Sequence, residues 1–148
     1  MTKSCYTVHV VIPDADAERR AAIDSLEAML ARIPQTGYAE VWVMHGQFPA
    51  LCALLHGERG WLTCLRFEGD AGFSTRNPGY SGPANAEITF MLSTGQVDLY
   101  PAAWTYPRAE VLAAVRMFAN TRRFPETLCW FNDSGDGATS PNEDMPVS

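Results

Sequence analysis

The tripeptide His56-Gly57-Glu58 matches half of one chemistry. In zinc nucleoside deaminases the His of H-x-E holds the metal and the Glu carries protons. The second half, P-C-x-x-C, is missing, because Cys5, Cys52, Cys64 and Cys129 are widely scattered. The tripeptide also falls in a hairpin turn rather than at a helix start, so it makes a poor zinc site. Gly79-Tyr80-Ser81-Gly82 is not G-x-S-x-G, and no strand feeds it into a helix as a nucleophile elbow requires. His9, His45 and His56 show no i, i+4 pairing, and no P-loop or G-x-G-x-x-G occurs. No catalytic residue, cofactor or metal is therefore expected. A site assembled in space from Cys52, His56, Cys64 and the long loop stays open, as a small enzyme or ligand-binding domain.

The remaining chemistry is recognition. The loop at 68–84 is rich in Gly, Pro, Asn and Ser, and it mixes acid with aromatic character through Glu68, Asp70, Phe73 and Tyr80. Loops of that length in compact domains usually carry function or move. Glu58 sits in a hairpin turn, and Trp104 lies between a strand and a helix. These six residues are the expected contacts, since aromatic side chains are enriched at binding hot spots. The plainer reading of each acid is a solvated surface charge. Trp42 and Trp61 lie in strand patterns and are expected in the core. The cysteines in apolar runs, Cys52, Cys64 and Cys129, are expected as buried thiols acting as small hydrophobes.

Several elements must position these groups. Residues 6–12 are β-branched and apolar, and Pro13 ends that strand. Asp14 or Asp16 then caps a helix whose apolar face is Ala22, Ile23, Leu26, Met29, Leu30 and Ile33. Strands follow at 38–44, 49–55 and 61–67, the last two joined by a turn at 57–60. A second hairpin spans 86–92 and 96–100. Tyr106-Pro107 opens a second helix, with Val111, Leu112, Val115, Phe118 and Ala119 as its core stripe. Phe124-Pro125 stops it. A short strand follows at 128–131, where Cys129 and Trp130 point to opposite faces and cannot form one reactive cluster. The expected fold is α+β: a mainly antiparallel sheet of six to seven strands with two helices packed on it. Residues 1–132 are expected to form one domain, and 133–148 a flexible acidic tail.

Composition agrees with one globular domain: 148 residues, 47% hydrophobic and 11% aromatic. The net charge is −6, and it is unevenly placed. Asp133, Asp136, Glu143 and Asp144 fall in the last 16 residues; without them 13 acids face 11 bases. Such a chain has no basic field for a phosphate backbone, so direct nucleic-acid binding is not expected. No apolar run reaches the roughly 18–20 residues that span a bilayer. The N-terminus reads as a first strand rather than a signal peptide, and a cytoplasmic location is the default expectation.

The run from Ala86 to Asn132 resembles the Imm1 family of bacterial immunity proteins. Its paired strands AEITFMLSTGQVDLY lead into TYPRAEVLAAVRMFANTRRFPETLCWF. The matching residues are Pro107 and Glu110 at the helix start, then Phe118, Thr121, Pro125 and Trp130. Arg122 departs from the pattern, standing where a Gly is expected to end the helix. Pro107 and Glu110 also have a purely structural reading, since Pro suits the first turn and Glu the positive end of the helix dipole. The resemblance implies a small protein without enzymatic activity. Such a protein binds the toxin domain encoded by a neighbouring gene, here of the nucleic-acid deaminase class, and occludes its active site or substrate groove. An acidic protein suits such a groove, which is usually basic. Besides the Cys/His reading, a structural subunit of an assembly is the remaining alternative.

Overall fold

The computed structural model describes residues 6–12, 18–21 and 26–143. In chain order the elements are β1 (Thr7–Val11), β2 (Glu18–Ala21), α1 (Leu26–Ala31), β3 (Tyr38–Met44), β4 (Ala50–His56) and β5 (Arg59–Leu65). Then come β6 (Phe73–Arg76), β7 (Glu87–Met91), β8 (Val97–Pro101), β9 (Tyr106–Pro107), α2 (Arg108–Thr121) and β10 (Cys129–Asn132). The fold is α+β, as expected. The main sheet runs β10-β6-β5-β4-β3-β1-β2, with β9 added beside β5, and β7–β8 form a separate two-stranded sheet. Among the described residues, no helix is long and apolar enough to cross a membrane.

Two cross-strand rows show why the sheet has two covered faces. Val8, Val43, Leu51, Cys64 and Phe73 are successive partners, all buried. This row packs beneath Val111, Ala114, Val115 and Phe118 of α2 and Met29 and Leu30 of α1. The pleat sends alternate residues the other way. Trp42, Cys52, Thr63, Ser74 and Phe131 form that second row. Its middle is covered by the β7–β8 hairpin, whose Phe90 packs on Cys52 and Leu54 with Trp42, Trp61 and Tyr100 around them. Polar hooks hold the hairpin down. Buried Glu40 accepts bonds from Trp42 Nε1 and Ser93 N, both 3.2 Å. His56 Nδ1 donates to Thr89 O at 2.8 Å, while its ring stacks on Tyr38.

The structure corrects three expectations and shows what the acidic segment bonds to. The expected first helix begins as a strand: Glu18–Ala21 pairs with β1, and α1 is six residues long. The predicted cap, Asp14 or Asp16, and the apolar positions Ala22 and Ile23 lie outside the described residues. The β4–β5 turn is two residues shorter than expected, because Arg59 already pairs with His56. Gly57, at φ 59°, supplies the positive φ that such two-residue hairpins demand. The loop at 68–84 contains β6, bounded by Gly72 and Asn77; a side chain at Gly72 would strike the Cys64 carbonyl. The acidic segment is held to the body as far as it is described. Asn142 donates to Phe124 O and accepts from Phe124 N, both at 2.8 Å, and Asp133 N donates to Gly72 O. Residues 144–148 lie outside the described set.

The residues that carry the family resemblance do structural work. Phe118 stacks on Phe124 with centroids 4.7 Å apart. Thr121 Oγ1 donates to Met117 O and accepts from Arg123 N, shaping the exit of α2. Trp130 Nε1 donates to Pro125 O at 2.7 Å, and its ring meets Phe124 edge-on. Arg122, in place of the expected Gly, takes the left-handed conformation itself (φ 64°, ψ 11°) and closes the helix through its N–H to Phe118 O. An L side chain is strained there. Arg122→Gly should therefore raise stability by about 0.5–1 kcal/mol in urea unfolding. Trp130→Ala should lower it by about 3 kcal/mol, as loss of a packed Trp does.

Candidate binding surface

The six expected contacts divide by burial. Glu58 and Glu68 are exposed, and Tyr80 and Trp104 are half-buried. Phe73 is 1% exposed. Its place in β6 turns it toward the helices, so it is core rather than contact. The Asp70 side chain is also buried, at 1% exposure. It accepts from Arg66 Nε at 2.7 Å, from Arg66 Nη2 at 2.8 Å, and from the backbone N–H of Arg66 and Gly72. Asp70 thus closes the turn after β5 and is spent on the fold. Glu58 precedes Arg59, whose guanidinium lies over the Tyr80 ring, 5.7 Å from its centroid. Tyr80 and Arg59 line a cleft of about 470 Å³ with Asn77, Tyr106 and Glu110.

The Cys/His grouping does not assemble. Cys52 faces the hairpin and Cys64 the helices, on opposite sides of the sheet. Burial pushes both thiols well above their ordinary pKa, with Glu40 adding to the shift at Cys52 and Asp70 at Cys64. Neither is a thiolate at neutral pH. His56 is committed to Thr89 and Tyr38. Cys129, expected to be buried, is exposed on the outer row of β10 beside Arg76. Among the described residues, no three His, Cys, Asp or Glu lie close enough together to hold a metal ion.

What the fold does assemble is a stack of rings and one guanidinium. Trp61 stacks on Tyr100 at 4.7 Å, and Tyr100 on Trp104 at 5.8 Å. Arg76 lies 3.6 Å above the Trp104 ring and 4.5 Å from that of Phe131. The backbone holds this order. Thr75 Oγ1 donates to Trp104 O, and Tyr106 OH donates to Arg76 O while accepting from Cys129 N. Arg76 Nη1 donates to Ser74 Oγ and Thr75 O, and Ser74 Oγ donates to Asp133. The stack starts with the hairpin's own Tyr100 on Trp61 and runs through Trp104 to Arg76 of β6 and Phe131 of β10, beyond the hairpin's main contacts with β3 and β4. Phe131 remains 51% exposed at its end. Of the expected contacts only Trp104 belongs to it. Trp61, Tyr100, Arg76 and Phe131 are additions; the outward alternation of Cys129 and Phe131 was the available signal.

Asp70 carries a pH dependence. Burial works to raise its pKa, but the Arg66 guanidinium and the N–H groups of Arg66 and Gly72 outweigh it and hold the carboxyl below the usual range. A carboxyl so held adds stability above its unfolded value and loses it as the pH falls through the lower folded value. Asp70→Ala should cost about 2–3 kcal/mol at neutral pH, by leaving Arg66 with Asp136 alone and the part-buried N–H groups of Arg66 and Gly72 without their acceptor. The difference from the wild-type chain should shrink below about pH 4, checked by urea unfolding at several pH values.

A family model described as immunity protein Imm1 matches residues 10–132. No curated protein matches the chain. The matched span takes in every described strand from β2 to β10, both helices, and each member of the ring stack. The chain belongs to the Imm1 family of immunity proteins.

Proposed function

We propose that this protein binds a cognate secreted bacterial toxin domain and neutralises it by occlusion, in the cytoplasm of the cell that makes the toxin. The family match over residues 10–132 carries this reading. The partner is encoded by a neighbouring gene and is a nucleic-acid deaminase. The protein covers its active site or substrate groove. The acidic balance, −6 overall, supports this choice, because a groove that holds nucleic acid is basic. The protein needs no cofactor and no catalysis of its own for this role, and it contacts neither nucleic acid nor membrane directly. Glu58, Glu68, Tyr80 and Trp104 are the sequence-expected contacts that retain exposed surface.

Co-expression tests the reading. The chain should restore growth to cells making the toxin domain encoded beside it, and the purified pair should associate with a Kd of about 1 nM or below, in the range of specific inhibitors. Absence of both rescue and complex removes the reading. The deaminase class is tested separately: ammonia release from nucleic acid by the isolated toxin domain should stop at one equivalent of the chain. A toxin domain that is neutralised but releases no ammonia overturns that class alone.

A further inference from the structure

We propose that the contact face is the open half of the main sheet, centred on Trp104, Arg76 and Phe131, and that it docks a basic protein surface through an apolar anchor. The proposal rests on the neutralising reading above and assigns its surface. Three observations carry it.

First, this is where the sheet has least cover. The helices pack along one face, while the hairpin lies over β3 and β4 of the other and sets Tyr100 on Trp61 of β5. Beyond it Phe131 and Cys129 are exposed, and Trp104 and Leu65 are half-buried. Second, the composition is that of an interface centre. Trp, Tyr and Arg dominate binding energies when rigid and partly desolvated. Here the rings and Arg76 are already stacked and hydrogen-bonded in the free protein, so little side-chain freedom remains to be lost on binding.

Third, the border is acidic. Asp98 accepts from Tyr100 OH at one end of the stack, and Asp133 accepts from Ser74 beside Arg76 at the other. Asp136 is exposed and pairs with Arg66, and Glu68 is exposed in the turn after β5. The nearby cations are spent internally: Arg66 pairs with Asp70 and Asp136, Arg76 lies between two rings, and Arg59 donates to Thr105 Oγ1 and Thr105 O. An acidic border steers a basic protein surface in and repels nucleic acid and anionic membranes.

The probe is the toxin domain that the wild-type chain is tested against in co-expression. Phe131→Asp changes an exposed ring, and Trp104→Ala removes the centre of the stack; melting temperatures report whether each still folds. Each folded variant should bind at least about 30-fold more weakly, the loss expected of a hot spot. Met117→Asp, exposed on α2 across the sheet, should bind as the wild type does. Glu68→Lys should slow association, and raising NaCl from about 0.05 to about 0.5 M should slow it further, by about tenfold or more. If Phe131→Asp binds normally while Met117→Asp does not, the face is wrong and the neutralising reading survives. Association insensitive to salt overturns the basic partner. Self-association of the chain, abolished by Phe131→Asp while toxin binding persists, makes the occupant a second copy and overturns the proposal. Absence of any complex with the wild-type chain removes the neutralising reading and this face with it.

Discussion

One strand imposes the architecture. In β4, every residue from Ala50 to Leu55 is buried, so the strand is apolar on both faces and the sheet must be covered on both. The helices supply one cover and the β7–β8 hairpin the other. Each cover matches its side. The helix face is aliphatic with stacked Phe118 and Phe124, whereas the hairpin face is aromatic and threaded with hydrogen bonds. Burying Glu40 on that side is tolerable because each of its carboxylate oxygens has a donor.

The two covers differ in size, and the difference creates the surface of interest. α2, at 14 residues, reaches across β3, β4 and β5. The hairpin, with two five-residue strands, reaches only the middle of the other face. Toward β10 the cover comes from the turn before β9 and from the sheet's own side chains, with Arg76 laid between Trp104 and Phe131. Such a stack is stable in water because the guanidinium is weakly hydrated and planar, and it still leaves ring edges and faces accessible.

The same economy explains why the acidic residues do not act alike. Asp70 is consumed by Arg66 and backbone N–H groups, and Asp133 binds Ser74, while Glu58 and Glu68 remain at the surface. On the proposed docking face that division has a use: a rigid apolar centre with a charged border combines fast encounter with slow release.

Periodicity and punctuation in the sequence were enough for the α+β class, the core stripe of α2, most strands, and the family, because these depend on local alternation and on Pro and Gly. Three things depended on the tertiary structure. Residues 18–21 form a strand because β1 offers them an edge to pair with, which local pattern does not show. Phe73 and Asp70 read as surface loop in sequence, but pairing of β6 with β5 and β10 buries the first and the turn after β5 captures the second. The ring stack joins residues 61, 76, 100, 104 and 131. No spacing announces it, since sheet register and the return of the chain before α2 bring these side chains together. Local sequence determines which face a side chain takes; only the folded sheet determines which distant side chains share that face.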